Sequence, residues 1–248
     1  MIVVKDLSKE FQLRKRVVKA VDSVSFTAYD GEVFGLLGPN GAGKTTTLRT
    51  IATLLQPTKG SISVDGLDVI EHSRAVRDRI GFLTGEMRLT GQLSARELLH
   101  YFGQLDRMDE TYIAKRMDEL AREFELGPYM DTPIAKLSSG ITQKVSIAVA
   151  LINEPHDIIF DEPTSNLDVI ASKIVSDFIR QAKDEGKCVL LSTHILSDAH
   201  RLCDRIGVMY EGQLLCEGPL EEVLEIHKTN DLETLFFSLV QKKKENSL

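Results

Sequence analysis

The sequence predicts an α/β fold built around a strand, a glycine-rich loop and a helix near the start of the chain. An apolar run from Val33 to Leu37 indicates a buried strand, and Thr46 to Leu55 indicates the helix that follows it. A second apolar strand, Asp157 to Asp161, ends in acidic residues. Between these segments, from about residue 86 to 155, apolar residues recur with the 3.6-residue spacing of a helix. This spacing predicts a mostly helical insert in a chain that otherwise alternates strands and helices.

The N-terminal segment is predicted to form short strands before the glycine-rich loop. Its apolar runs are Ile2 to Val4, Val17 to Val21 and Val24 to Ala28, and Asp30-Gly31 supplies the turn that follows. Phe11 lies between the first two predicted strands, where two roles stay open. A lone phenylalanine is more often a core residue, but its ring could also lie against an adenine base.

The loop reads G-P-N-G-A-G-K-T-T and fits the pattern G-x-x-x-x-G-K-[ST] of phosphate-binding loops. Its glycines can adopt backbone angles that a Cβ forbids, so the loop amides can point at an anion beside the helix N-terminus. Lys44 is expected to reach the β- and γ-phosphates, and Thr45 to place its hydroxyl on Mg²⁺. This pattern predicts that the chain binds a nucleoside triphosphate. The predicted loop residues are Gly38, Pro39, Asn40, Gly41, Ala42, Gly43, Lys44, Thr45 and Thr46.

The helical insert opens with a capping box, in which Ser94 precedes Glu97 by one helical turn. Apolar residues then recur at helical spacing, so two successive helices are predicted. The first is expected to place on one side Leu98, Leu99, Phe102 and Leu105. The second is expected to place on one stripe Ile113, Met117, Leu120 and Phe124.

The run Leu137-Ser138-Ser139-Gly140 precedes a predicted helix from Ile141 to Asn153. Serine hydroxyls, free amides and the dipole end at a helix start together form an anion site. Since the chain already has one predicted phosphate site, a second one needs a second ligand or a second subunit. Ser138, Ser139 and Gly140 are therefore candidate ligand-binding residues.

Asp161 ends the second apolar strand, and Glu162 follows it directly. Beside a phosphate loop, Asp161 is expected to accept a hydrogen bond from a water bound to Mg²⁺. The metal ion then neutralises charge on the phosphate that is transferred. Glu162 is placed to orient and polarise a water for attack on the γ-phosphate. The pair favours hydrolysis to water over transfer to a second substrate.

The strand–helix alternation returns after the insert. A helix is predicted from Val169 to Lys183, and the next strand from Cys188 to Thr193. A hairpin is expected from Arg205 to Tyr210 and Gln213 to Cys216. Pro219 then opens a short helix, and the charged tail beyond it is expected to be frayed.

The composition argues against several classes of function. A net charge of −7 and a pI near 5.5 argue against a broad nucleic-acid surface, so no nucleic-acid partner is expected. Cys188, Cys203 and Cys216 form no C-x-x-C pattern and suggest neither a disulfide framework nor a zinc site. The first residues lack signal-peptide features, and the longest apolar stretch, Val145 to Ile152, is too short for a membrane helix. The chain is therefore expected to be cytosolic.

With these motifs in this order, the chain resembles the ATP-binding subunits of ABC transporters over nearly all of its length. Gly38 to Thr46 is similar to their Walker A motif, Leu137 to Gly140 to their signature, and Phe160 to Pro163 to their Walker B motif. Ser165 to Asp168 resembles the D-loop, and Ser192 to His194 resembles the segment of the switch histidine.

The resemblance implies a fold and a set of roles. The fold is a P-loop NTPase (RecA-like) core with an N-terminal antiparallel β subdomain and a helical subdomain that carries the signature. Residues 1–220 are expected to form the ATPase domain, and residues 221–248 a C-terminal helical extension and charged tail. ATP and Mg²⁺ are the implied cofactors, with Phe11 on the adenine and Asp168 among the nucleotide-binding residues. Lys44, Glu162 and His194 are the implied catalytic residues.

The resemblance also implies partners. Two ATPase subunits, identical or homologous, pair head to tail and hold each ATP between Lys44 of one and Ser138 to Gly140 of the other. Separately encoded integral-membrane permease subunits then place the chain on the cytoplasmic face of the membrane. Gly81 to Thr84, Leu93 to Glu97 and Gln143 to Val145 are similar to bacterial exporter ATPases of the sodium-extruding, NatA-like type. That group implies export, with Na⁺ as the candidate cargo.

The sequence departs from the family pattern at two places. A glutamine that commonly follows the strand ending at Leu83-Thr84 is replaced by Gly85-Glu86, with no glutamine before Gln92. In the signature, often L-S-G-G-Q, Ser139 replaces a glycine and Ile141 replaces the glutamine. Both departures leave open the turnover rate and the residue that reports nucleotide state to a partner.

Three other functions remain open on the sequence alone. A soluble ABC ATPase acting on DNA or the ribosome is one, although such proteins usually carry a long coiled-coil insert or two ATPase domains. A phosphate-loop kinase or GTPase is another. The chain, however, has no N-K-x-D motif for guanine recognition, and Glu162 is better suited to activating a water than a phosphate acceptor. The third is a domain that clamps ATP with weak turnover.

Overall fold

The computed structural model describes residues 1–13, 16–84, 89, 91–165 and 167–245. In this part of the chain, ten strands and nine α-helices alternate. The strands are β1 (Ile2–Leu13), β2 (Arg16–Ala28), β3 (Val33–Leu37), β4 (Lys59–Val64), β5 (Leu67–Asp68), β6 (Ile80–Leu83), β7 (Asp157–Asp161), β8 (Cys188–Thr193), β9 (Arg205–Tyr210) and β10 (Gln213–Pro219). The helices are α1 (Lys44–Ile51), α2 (Ser73–Arg77), α3 (Ala95–Leu105), α4 (Glu110–Glu123), α5 (Ser139–Ala150), α6 (Val169–Asp184), α7 (Leu196–Leu202), α8 (Leu220–Ile226) and α9 (Leu232–Glu245).

A six-stranded sheet, in the order β10-β9-β3-β8-β7-β6, forms the centre of the fold. Its strands are parallel except for β10, which is antiparallel to β9. Leu37 at the end of β3 pairs with Thr193 of β8, and Asp161 at the end of β7 pairs with Ser192 of β8. The segments that follow these strands therefore leave the same carboxyl edge, where α/β sheets bind their ligands.

The central strand β3 is buried along its whole length, because both faces of the sheet are covered. Val33 and Leu37 pack on the side of the helices α3 to α6. Phe34 and Leu36 pack on the other side, against the antiparallel sheet and α1. The predicted α/β fold is confirmed, and the continuous apolar run of β3 reflects this burial on two faces.

The N-terminal strands belong to a second, antiparallel sheet in the order β2-β1-β4-β5. The expectation of three separate short strands is wrong, because β1 and β2 are two long strands that pair over almost their full length, with register shifts between Val4 and Glu10. Phe11 consequently lies inside β1, opposite Val18 of β2, and not between two strands.

The predicted helical insert contains α3, α4 and α5. The capping box at the start of α3 is confirmed, since Ser94 N donates to Glu97 Oε2 at 2.8 Å and Glu97 N donates to Ser94 Oγ at 3.3 Å. Of the four side chains predicted to share one side of α3, Leu98 and Leu99 are buried and Phe102 is partly buried, whereas Leu105 is 56% exposed. Leu105 is the last residue of α3, where the apolar stripe reaches solvent.

The charged run expected to be frayed is helical as far as Glu245, because it forms the last turn of the helix α9. Asp231 accepts hydrogen bonds from Glu233 N at 3.2 Å and from Thr234 N at 2.8 Å, which satisfies amides at the helix start. Leu235 and Leu239 are buried against the core. The apolar spacing, read together with this cap, would have indicated the helix.

Helix length bears on membrane insertion. A helix that crosses a bilayer needs about 20 predominantly apolar residues. The longest of the helices named above, α6, has 16 residues. Within the described residues, no helix is long and apolar enough to span a membrane.

Candidate functional site

The glycine-rich loop between β3 and α1 is held tightly by neighbouring backbone. Gly43, at the start of α1, has φ 103°, and a Cβ there would lie 2.5 Å from Ala20 O. Gly38 has φ 151°, and a Cβ there would lie 2.2 Å from Met209 O. Only glycine fits these two positions, because both the backbone angle and the close approach exclude a side chain.

Lys44 is the first residue of α1, and its side chain folds back over the loop. Its Nζ donates to Gly38 O at 2.7 Å and to Pro39 O at 3.1 Å, and the residue is only 4% exposed. Burial lowers the pKa of Lys44, while the charges of Glu162 and Asp161 partly oppose that shift. The ammonium is therefore fixed in the loop beside the amides of a helix N-terminus, which is the arrangement of an anion site.

The loop and the acidic strand end enclose a cavity of about 280 Å³. Glu162 stands on its rim opposite the loop, with Oε1 3.8 Å from Lys44 Nζ. The remaining lining comes from β2 and from the loop and first turn of α1: Ala20, Asn40, Gly41, Ala42, Gly43, Lys44, Thr45 and Thr46. The structure thus brings most of the predicted phosphate-binding residues to one cavity.

Asp161 is buried at the end of β7, and Ser192 of the neighbouring strand donates to its Oδ1 at 2.5 Å. Thr45 lines the same cavity and is half-buried. A carboxylate and a hydroxyl are hard oxygen donors, the type that Mg²⁺ prefers in nucleotide sites. The donor set at this edge of the sheet therefore fits a magnesium ion.

Glu162 is fixed by contacts to both of its carboxylate oxygens. His194 Nδ1 lies 2.9 Å from Oε1, and Ser165 Oγ donates to Oε2 at 3.0 Å. An ionised carboxylate only accepts, so Nδ1 of the histidine carries the proton in this bond. Glu162 itself has φ 53°, and its amide donates to Ser192 O at 3.1 Å. The carboxylate is thereby aimed at the cavity by backbone and side-chain contacts.

The same contacts set the protonation of Glu162. Burial raises its pKa, but the hydrogen bonds from His194 and Ser165, with the charges of His194 and Lys44, outweigh burial and leave the pKa below its ordinary value. The side chain therefore stays ionised at neutral pH. An ionised carboxylate at the edge of a cavity can accept a proton from water.

The predicted signature lies at the start of α5. Ser138 is the N-cap residue, with its Oγ accepting from Ile141 N at 3.3 Å, and both Ser138 and Ser139 are exposed. A Cβ on Gly140 would lie 4.0 Å from Asp168 Oδ2, so the signature borders the segment before α6. None of Ser138, Ser139 and Gly140 is among the described residues that line the cavity.

Phe11 is carried on the same hairpin as the cavity residue Ala20 but is not in the lining itself. Lys9 Nζ lies 5.1 Å from the centroid of its ring, in a cation–π contact. The ring is only partly buried, so it is not a core residue of the sheet.

Sequence reasoning assigned no role to two hydroxyls that hold the acidic pair. Ser192 contacts both Asp161 and the amide of Glu162, and Ser165 contacts the Glu162 carboxylate. Ser192 is placed by the pairing of β7 with β8, and Ser165 by the turn that follows Glu162, and motif spacing alone reveals neither. The departures at Gly85 and Glu86 lie outside the described residues, as does Asn166 of the D-loop-like segment.

Comparisons with known proteins agree with this geometry. The protein-family model described as "ABC transporter" matches residues 21–165. "ABC transporter ATP-binding protein NatA" of Bacillus subtilis (strain 168) is 44% identical over 239 residues, which cover 96% of this chain and 97% of NatA.

Two solved structures share the fold over most of its length. One, described as "Structure of ATP binding subunit of ABC transporter", has a TM-score of 0.87 and 30% identity, over 97% of this chain and 99% of its own. The other is the ATP-binding cassette MJ0796, in a dimeric post-hydrolysis state bound to ADP and Pi. Its TM-score is 0.81 and its identity 29%, over 89% of this chain and 99% of its own.

Proposed function

This chain belongs to the ABC transporter family, and from that premise we propose that it hydrolyses ATP to drive transport through separately encoded membrane subunits. The observation that carries the proposal is the Glu162 carboxylate, ionised and held by His194 and Ser165 at the rim of the phosphate-binding cavity. In this proposal, residues 1–220 form the ATPase domain. Residues 221–248 form an extension whose helices α8 and α9 pack against it.

Each of the residues around the cavity has a distinct role in the proposed hydrolysis. The loop amides and Lys44 hold the β- and γ-phosphates, and Phe11 packs against the adenine. Glu162 accepts a proton from the water that attacks the γ-phosphate. His194 keeps the Glu162 carboxylate in place through Nδ1 and is the third catalytic residue of the proposal.

Mg²⁺ would be held by Thr45 and by Asp161, whose carboxylate Ser192 orients. When bound, the ion neutralises charge on the phosphate oxygens. The protein's own contribution is to fix these oxygen donors at the carboxyl edge of the sheet, beside the loop.

A second copy of the chain, or a homologous subunit, completes the site. Ser138, Ser139 and Gly140 offer a helix start to an anion, yet they lie outside the lining of the cavity in their own chain. A head-to-tail dimer would bring them, with Asp168, to the ATP held by Lys44 of the other copy. The dimeric state of the cassette MJ0796, a relative with the same fold, supports this arrangement.

Replacing Ser165 by alanine tests how Glu162 is positioned. The change removes the hydrogen bond to Oε2, so the lowered pKa of Glu162 should rise towards its ordinary value. Activity that needs the ionised carboxylate is lost as pH falls through this pKa, so the acidic limb of the kcat profile should move to higher pH. Ser165→Thr, which keeps the hydroxyl, should leave the acidic limb at the pH of the wild type. An unmoved limb in Ser165→Ala would contradict the positioning role.

The proposed function is tested by phosphate release and by copurification. The purified chain should release phosphate from Mg-ATP, and a tagged chain recovered from membranes should carry a hydrophobic integral-membrane subunit. Na⁺ efflux is the proposed transport activity, measured as ATP-dependent uptake of Na⁺ into inside-out vesicles that contain both proteins. ATP binding without phosphate release would favour the ATP-clamping alternative. Recovery of ribosomes or DNA, with no membrane subunit, would contradict the transport function.

A further inference from the structure

Two aliphatic side chains project into solvent directly beside the predicted signature. Val169 and Ile170, the first residues of α6, are 87% and 73% exposed. The residues on either side of them border the signature, since a Cβ on Gly140 would lie 3.9 Å from Ala171 Cβ and 4.0 Å from Asp168 Oδ2. Because exposed aliphatic side chains in a pair form an apolar projection, we name Val169 and Ile170 the aliphatic knob.

A mostly apolar pocket lies beside the phosphate loop of the same chain. Its volume is about 200 Å³, and it is lined by Gly38, Pro39, His194, Leu196 and, from α9, Glu233, Phe236 and Phe237. Phe237 is 62% exposed, with its ring 5.7 Å from that of Phe236. We name this the α9 pocket. It shares Pro39 with the phosphate loop and His194 with the Glu162 carboxylate.

We propose that in the ATP-bound dimer the aliphatic knob of each copy docks into the α9 pocket of the other. This inference rests on the proposed function, because it takes the head-to-tail arrangement as given. That arrangement places the signature edge of one copy on the phosphate loop of its partner. The knob adjoins the first of these surfaces and the pocket adjoins the second, so the same pairing brings them together.

The chemistry of both surfaces favours a second copy over other occupants. Aliphatic side chains and phenylalanine rings gain by leaving water together. The knob is uncharged, and Leu196, Phe236 and Phe237 give the pocket an apolar wall, with the Glu233 carboxylate beside it. A two-fold axis makes the contact twice, once on each side of the dimer. Each substitution in the knob or the pocket therefore acts at two places in one complex.

Docking would also connect α9 to the site of hydrolysis. His194 lies in the wall of the pocket, and its Nδ1 is 2.9 Å from Glu162 Oε1. A partner seated in the pocket excludes water from one side of this histidine. The C-terminal helix thus becomes part of the surface that closes when ATP is bound and opens after it is hydrolysed.

The test is a double-mutant cycle on dimer formation, carried out in the full chain with Glu162→Gln to prevent turnover. Ile170→Ser and Phe237→Ser are made singly and together, and dimer dissociation constants are measured by sedimentation in saturating Mg-ATP. Each single change should weaken the dimer by about tenfold or more, given the apolar surface returned to water. The double change should cost less than the sum of the two, because the side chains touch.

Ile226→Ser is the matched control, since Ile226 on α8 is also 73% exposed and belongs to neither surface. It should leave the dimer unchanged, and all variants should bind ATP as monomers. If the parent protein dimerises but Ile170→Ser and Phe237→Ser match the control, the docking contact is wrong while the ATP-bound dimer stands. Independent, additive effects would also overturn the direct contact. If the parent protein itself stays monomeric, the head-to-tail arrangement fails, and the docking contact fails with it.

Discussion

Replacing Glu162 by glutamine is expected to slow phosphate release from Mg-ATP by about 10²- to 10⁴-fold, the usual contribution of a general base. Glutamine keeps the shape of the side chain and can still accept a hydrogen bond from His194 Nδ1, so the loop should hold its position. It cannot take a proton from water. ATP binding should survive, because Lys44 and the loop amides remain. The measurement is single-turnover phosphate release beside an ATP-binding titration.

The same variant should convert the protein to an ATP-bound dimer, because unhydrolysed ATP continues to join the two copies. Sedimentation with and without Mg-ATP detects the change in mass. Glu225→Gln, an exposed change on α8, is the control and should behave as the wild type. Turnover close to that of the wild type would assign the base to another group. Loss of turnover without a dimer would keep the base but contradict the head-to-tail arrangement.

The core of the site was predictable because its parts follow the ends of neighbouring parallel strands. β3 ends before the loop that carries Lys44, β7 ends at Asp161, and β8 ends before His194. Apolar runs identify such strands, and their carboxyl ends meet at one edge of a sheet. Motif order therefore predicted which side chains converge, before any distance was known.

The contacts that orient the acidic pair were not predictable, because they depend on register. Ser192 reaches Asp161 since the two residues pair across β7 and β8. Ser165 reaches Glu162 through a tight turn in which Glu162 adopts φ 53°, an angle that the sequence does not mark with glycine. Local patterns indicate elements, whereas these bonds arise from how the elements are paired.

Differences at helix ends between expectation and structure have a similar cause. Leu105 continues an apolar stripe in the sequence, but the packing on α3 stops before it and leaves it 56% exposed. The charged run near the C-terminus suggested a frayed tail, yet Leu235 of the preceding turns is buried and anchors α9. Burial at both positions is decided by neighbours distant in sequence, and local periodicity does not contain them.

Replacing Lys44 by alanine is expected to weaken ATP binding by at least about tenfold, the loss of one charge-assisted hydrogen bond. The ammonium is already aligned by Gly38 O and Pro39 O, so little ordering cost opposes its contact with a phosphate. Its removal leaves the loop amides and the helix dipole, which retain part of the affinity. Phosphate release should fall further than binding, because the charge that develops on the γ-phosphate in the transition state loses a partner. Fluorescent-ATP titration and a phosphate assay measure the two effects.

Two further variants complete the test, one as a control at a different lysine and one that keeps the charge at position 44 but changes the shape of the side chain. Lys115→Ala removes an exposed lysine that pairs with Glu119 at 3.5 Å on α4, and it should leave both measurements unchanged. Lys44→Arg keeps the charge but replaces a compact ammonium with a planar fork, which does not fit between two loop carbonyls. It should therefore resemble Lys44→Ala more than the wild type. If all three variants bound ATP as the wild type does, the anion site would not be in this loop. The triphosphate would then not be held beside Glu162, and the proposed hydrolysis there would be contradicted.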